Sequence, residues 1–149
     1  MPRRITSEHV PRVLIAEDDY KYRAGIVLLL EPLGIDCVAV EDGLAAAALL
    51  ADRSERFDLV ITDFRMPRKS GWHVVDAARL HRGGEFPIIM QTGESQHADV
   101  YLKAEAMAVT LIAKDDIQAL LVPAVRAALR LDGAVPDTCL TCPPKTSPV

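Results

Sequence analysis

Residues 58 to 67 read Asp-Leu-Val-Ile-Thr-Asp-Phe-Arg-Met-Pro. The run from Leu59 to Ile61 is apolar without a break, Asp63 closes it, and Pro67 follows. A run with no polar alternation suits a strand covered on both faces, as in a parallel sheet between helices. Asp63 then stands at the carboxyl end of that strand, where open α/β sheets place their chemistry. The alternative is a turn carboxylate that only closes the strand, and this stretch does not choose between them.

The rest of the chain repeats the unit. Arg12 to Ala16 is a first buried strand, ending in Glu17-Asp18-Asp19. From Tyr20 to Leu33 the spacing of Ile26, Leu29, Leu30 and Leu33 predicts a helix, stopped by Gly34. Asp36 to Val40 is a second strand. Leu44 to Ala51 is an Ala/Leu-rich helix with Asp42 as its cap. After the Asp58–Thr62 strand, a loop through Pro67 and Gly71 leads to a helix with Val74, Val75, Ala78 and Leu80 inward, ended by Gly83-Gly84. Phe86 to Thr92 is a fourth strand. Gly93-Glu94-Ser95 opens a weakly patterned helix to about Met107. Val109 to Ala113 is a fifth strand, ending at Lys114. A final helix, capped by Asp115 or Asp116, buries Ile117, Leu120, Leu121, Val125, Ala128 and Leu129, with Pro123 expected to distort it.

Five strands alternating with five helices predict an α/β fold, a doubly wound parallel sheet with right-handed crossovers. The domain is expected over residues 11–131, with a loose leader over 1–10. Residues 132–149 contain Pro136, Pro143, Pro144 and Pro148 and read as a loosely packed tail. A formal net charge of −4 argues against a general nucleic-acid binder. No apolar run approaches the roughly 18 residues that span a bilayer, and the polar start has no signal-peptide core. Three widely spaced cysteines do not make a disulfide framework. A reduced, cytoplasmic protein is expected.

Parallel strands bring their carboxyl ends to one edge. That edge would gather Glu17 and Asp18, Asp63, Thr92 and Lys114. Three carboxylates repel one another unless a cation lies between them, and oxygen ligands of this kind suit Mg2+. A cation, an ammonium and a hydroxyl around Asp63 would also neutralise the oxygens of an incoming phosphoryl group. Each residue has a plainer reading taken alone. An acidic pair can serve a helix N-terminus, Thr favours strands, and a strand-end Lys is usually solvated. Their joint occurrence in this order carries the inference.

Val13-Leu14-Ile15-Ala16-Glu17-Asp18-Asp19, Asp63-Phe64-Arg65-Met66-Pro67, Gln91-Thr92-Gly93 and Ile112-Ala113-Lys114 resemble the receiver domain of two-component response regulators. The resemblance implies a flavodoxin-like fold with strand order 2-1-3-4-5. It implies that Asp63 accepts a phosphoryl group and that Asp18 and Asp63 ligate Mg2+, with Glu17 acting through water and Arg65 offering its backbone carbonyl. Thr92 would be the switch hydroxyl, and Lys114 would pair with the phosphoryl group. The donor would be a sensor histidine kinase or histidine phosphotransfer domain. The protein would be a switch rather than a turnover enzyme, although it could lose its phosphoryl group by itself. With only a short tail after residue 131, a stand-alone regulator is expected. It would signal by protein–protein contact through residues 93–131, with no direct DNA or membrane binding and a homodimer as an option.

Several residues depart from the family pattern. Lys114 is followed by Asp115 where the family has Pro. A cis non-Pro bond costs about 3 kcal/mol, so this peptide is expected to be trans. Leu111 stands at the aromatic switch position. Gly93 follows Thr92 and opens the site. Arg65 and Glu94 occupy the variable flanking positions and could pair over the phosphoryl group, or be unrelated surface charges. Cys139-x-x-Cys142 lies beside Pro143 and lacks further zinc ligands. His9, His73, His81 and His97 show no metal spacing, and Trp72 reads as a packing or contact residue. A metal-dependent phosphohydrolase is disfavoured because Arg65, not Asp, lies two beyond Asp63. A dinucleotide site lacks its Gly-rich turn. A receiver-like scaffold working without phosphorylation is the remaining alternative, kept by Leu111 and Asp115.

Overall fold

The computed structural model describes residues 9–93 and 98–131. Its strands are β1 (Arg12–Ala16), β2 (Asp36–Val40), β3 (Leu59–Asp63), β4 (Ile88–Thr92) and β5 (Thr110–Ala113). All are parallel, in the order β2-β1-β3-β4-β5. The helices are α1 (Tyr20–Leu30), α2 (Gly43–Ala51), α3 (Gly71–Arg82), α4 (Ala98–Ala106) and α5 (Ile117–Leu129). This is the doubly wound, flavodoxin-like α/β fold expected.

Alternate residues of each strand serve opposite layers. Val13, Ile15, Leu59, Ile61, Ile89 and Ile112 meet Ile26 and Leu30 of α1 and Ile117, Leu121 and Val125 of α5. Leu14, Val60, Ile88 and Met90 meet Ala46 and Leu50 of α2, Val74, Val75 and Ala78 of α3 and Ala104 of α4. Strands β3 and β4 are buried at every residue, whereas the edge strands β2 and β5 are not. The unbroken apolar run was therefore a sound sign of a central strand.

Several details differ from the sequence expectation. Strand β3 starts at Leu59, because Asp58 accepts from the Arg12 backbone N–H (2.9 Å) and lies 3.0 Å from His9 Nε2. Leu80 is 77% exposed. It stands two residues beyond buried Ala78, a turn of about 200° around the helix. Leu120 is 48% exposed; it flanks the buried line Ile117, Leu121, Val125 and Leu129. Neither Asp115 nor Asp116 caps α5 through its side chain. A 3-10 turn over Lys114–Asp116 leads into the helix, and the Ile117 N–H closes it by donating to the Lys114 carbonyl. No cis peptide occurs among the described residues, so Lys114–Asp115 is trans as expected. Helix α5 runs on through Pro123. Pro123 and Ala119, whose carbonyl loses its helical donor, are both on the exposed side. Residues 1–8 of the leader, Glu94, His97 and the tail with Cys139 and Cys142 lie outside the described residues.

The loop from β3 to α3 is held at both ends. Asp42 caps α2 by accepting from the Ala45 N–H (2.8 Å), and also accepts from Arg68 Nε (3.0 Å). Arg68 itself has a left-handed φ of 72°. At the other end the Gly71 N–H donates to the Phe64 carbonyl (2.9 Å). A Cβ on Gly71 would collide with the Asp63 backbone carbonyl oxygen and press on Met90. Gly71→Ala should therefore lower stability by about 1–3 kcal/mol, the usual range for overpacking, and disturb Asp63 as well. Urea unfolding checks the first effect; an unchanged midpoint would mean that the loop moves aside freely.

Candidate functional site

The face alternation selects the residues. Two steps beyond Ile15 is Glu17, beyond Ile61 is Asp63, beyond Ile89 is Gln91, and beyond Ile112 is Lys114. All four rise from the layer that packs on α1 and α5, at the carboxyl edge of the sheet. Glu17 is completely buried, Asp63 is 4% exposed, and Asp18 faces solvent. One carboxylate oxygen from each of Glu17, Asp18 and Asp63 can be chosen so that all lie within 4.8 Å of one another. Among the described residues this is the sole group of three or more His, Cys, Asp or Glu side chains placed to share a metal ion.

Lys114 Nζ lies 3.1 Å from Asp63 Oδ2 and 3.4 Å from Glu17 Oε1. It also sits 4.3 Å from the Tyr22 ring centroid, a cation–π contact. Asp63 Oδ1 accepts from the Phe64 N–H (2.9 Å). Glu17 Oε2 accepts from the Asp19 N–H (3.0 Å), and Glu17 Oε1 accepts from Gln91 Nε2 (2.6 Å). Asp19 also caps α1, accepting from the N–H groups of Lys21 and Tyr22. Glu17 is thus tied into the sheet while Asp18 points outward.

Burial raises the Glu17 pKa to about 7, against the pull of the Asp19 N–H and with a further push from Asp63. Asp63 is also raised by burial, which outweighs the opposing pull of Lys114 and the Phe64 N–H. For Lys114, burial acts downward, but Asp63 and Glu17 together keep its pKa raised. A simple ion pair would lower its carboxylate. Here desolvation prevails over pairing, and when all three carboxyls are ionised a single ammonium leaves two negative charges uncompensated. A divalent cation has the matching charge, and the oxygen-only donor set suits Mg2+.

The structure brings Glu17, Asp18, Asp63 and Lys114 together as expected. Thr92 is buried at the end of β4, with its neighbour Gln91 registered against Asp63. Arg65 lies on the exposed loop leaving Asp63, its guanidinium 5.4 Å from the Phe64 ring centroid. Leu111 is half-buried against the layer containing Met90. Three contributors were missed from sequence: Gln91, Tyr22 and Asp19. Gln91 did leave a trace, a polar residue ending an apolar run on the face shared with Glu17. Phe64 packs edge-on against Trp72 (6.3 Å, 80°), and Lys103 of α4 lies 4.5 Å from the Trp72 ring centroid. That contact chain leads from the residue after Asp63 to α4.

Residues 13–126 match the family model described as response regulator receiver domain. DNA-binding response regulator MtrA of Mycobacterium tuberculosis is 33% identical over 130 residues, 87% of this chain and 55% of that protein. The chain spans about half the length of MtrA, and 18% of a response regulator-like protein of Arabidopsis thaliana. A response regulator receiver protein from Sinorhizobium medicae superposes with a TM-score of 0.73 at 25% identity, covering 83% of this chain and 98% of that one. TrrA of Thermotoga maritima, a response regulator protein solved in complex with Mg2+ and BeF, gives 0.67 at 26% identity, covering 80% and 100%. None of the described helices is long and apolar enough to cross a membrane.

Proposed function

The chain belongs to the response regulator receiver domain family, and we propose that it is a phosphorylation-dependent switch whose acceptor is Asp63. The observation that carries this reading is buried Asp63 held 3.1 Å from Lys114, with Glu17 and Asp18 oxygens beside it. Mg2+ would be held by Asp18 and Asp63, by Glu17 through water, and by the Arg65 backbone carbonyl. When bound, it neutralises charge on the phosphoryl oxygens.

A carboxylate oxygen of Asp63 attacks the phosphorus of a phosphohistidine. The new O–P bond forms as the P–N bond breaks, leaving an acyl phosphate and a free imidazole on the kinase or phosphotransfer partner. Lys114 follows the charge from the carboxylate to the phosphoryl group. The Thr92 hydroxyl donates to a phosphoryl oxygen and draws the start of the β4–α4 connection with it. Lys114 offsets part of the carboxylate charge that would repel the donor, and the cation, once bound, would offset the rest. Loss of the phosphoryl group to water resets the switch. This chemistry takes place in the cytoplasm and concerns only the part shared with the longer DNA-binding relatives.

Output is assigned to residues 93–131. In α4 only Val100 and Ala104 are buried, while Tyr101 and Leu102 are exposed. Few buried contacts mean low local stability, as a moving element needs. The Phe64–Trp72–Lys103 chain gives this helix a contact to the site that does not depend on an aromatic residue at position 111.

The deciding test is incubation with Mg2+ and acetyl phosphate, followed by intact mass. One labile phosphoryl group is expected. Beryllium fluoride with Mg2+ should then alter hydrogen exchange most in residues 93–115 and little in residues 36–52. An adduct without that local change would discard this output face. No adduct at all would favour a scaffold that works without phosphorylation, the reading that Leu111 and Asp115 support.

A further inference from the structure

Gln91 is completely buried in the layer beneath the site. On that face Ile89 and the registered Ile112 are apolar, while Asp63 registers against Gln91 from β3. An amide in such a place must find partners, because an unpaired buried polar group is costly. Gln91 finds one. Its Nε2 donates to Glu17 Oε1 at 2.6 Å. The amide cannot be turned over while Glu17 is ionised, since a carboxylate only accepts. Its Oε1 is buried and has no hydrogen-bond partner in the protein.

We propose that Gln91 is a positioning residue of the cation site: through its Nε2 donor it fixes the Glu17 carboxylate from below, in the orientation that a hydrated cation meets. The inference deepens the Mg2+ reading given above and rests on it. Mg2+ keeps several waters when bound, and each of those waters needs acceptors. Glu17 has a protein donor on each oxygen, Gln91 on one and the Asp19 N–H on the other. It is therefore oriented to meet the cation through water rather than to swing onto it. Outer partners of metal ligands act in this way, orienting the ligand and tuning the metal.

Gln91→Leu keeps most of the volume and removes both polar atoms. With Mg2+ as the probe and Trp72 fluorescence or NMR shifts as the readout, affinity should fall by about tenfold, the lower end for such partners. In the metal-free protein the substitution removes an orphaned buried carbonyl but also the donor on the buried Glu17 carboxylate, and because these oppose each other the melting temperature should stay close to that of the wild type. A merely structural role would lower both together. In a Glu17→Ala background the same substitution should change Mg2+ affinity by no more than about twofold, since coupled residues do not add. Gln91→Met replaces the leucine variant if that one folds poorly. A tenfold loss of equal size in both backgrounds, or unchanged affinity in Gln91→Leu, overturns the proposal while leaving the cation site standing. A wild type that fails to bind Mg2+ overturns both.

Discussion

Asp63→Asn folds, and takes up no phosphoryl group from acetyl phosphate or from a phosphohistidine donor. The loss is complete because the amide nitrogen's lone pair is delocalised and its oxygen carries no charge with which to attack phosphorus. Shape is preserved, so the surrounding packing has no reason to fail. Stability should move the other way from activity. Burial holds the Asp63 pKa above its ordinary value despite Lys114, which means the folded protein resists its charge. Above the ordinary carboxylate range that resistance is a destabilising contribution, and Asn removes it. Lys114 keeps Glu17 at 3.4 Å as its remaining counter-ion. Thermal melts in EDTA near neutral pH should therefore show the variant equal to or above the wild type. Intact mass and a phosphate-affinity gel check the chemistry. An adduct on Asp63→Asn at wild-type yield would place the acceptor elsewhere.

Mg2+ affinity should rise with pH by about tenfold between about pH 6 and about pH 8, as one proton ceases to compete. The group responsible is Glu17, raised by burial from an ordinary 4.5 to about 7. Below its folded pKa the carboxyl carries a proton that the cation must displace. The metal-free stability has the opposite sign. Between about 4.5 and about 7 the folded state binds more protons than the unfolded chain, so stability falls as pH rises through that window. Asp63, raised for the same reason, adds in the same direction. Titrations at three pH values, with melts in EDTA at each, test both slopes. Glu17→Gln should flatten them. A pH-independent affinity would mean that Glu17 is ionised throughout and that burial does not govern it.

The carboxyl edge was legible in the sequence because each central strand is a closed apolar run with a functional group at its end. Val13 to Ala16 points to Glu17, and Leu59 to Ile61 points to Asp63. The supports beneath the site were less legible. Tyr22 of α1 meets Lys114 in the turn after β5, a contact set by how far the helix lies over the sheet. Gln91 reads as an ordinary strand-end polar residue until Glu17 is placed beside it. Leu80 and Leu120 were misassigned because apolar spacing marks a stripe without marking its borders. The α5 cap failed because the turn over Lys114–Asp116 was already closed by backbone hydrogen bonding, which no residue type announces.

The two rims of the sheet differ in kind. The carboxyl rim holds the reacting groups. The amino rim is laced by Arg12 to Glu55 (2.7 Å), Arg56 to Asp58 (3.1 Å) and Arg79 to the Phe86 carbonyl (2.7 Å). Connections at that rim, such as Gly83-Gly84, can lengthen without displacing a single side chain of the chemistry. A Cβ at Gly84 meets nothing within 4 Å. For an engineer this is the place to splice in a fluorescent reporter or a tether. For a lineage it is where an insertion would cost little, leaving the opposite rim free to keep its composition.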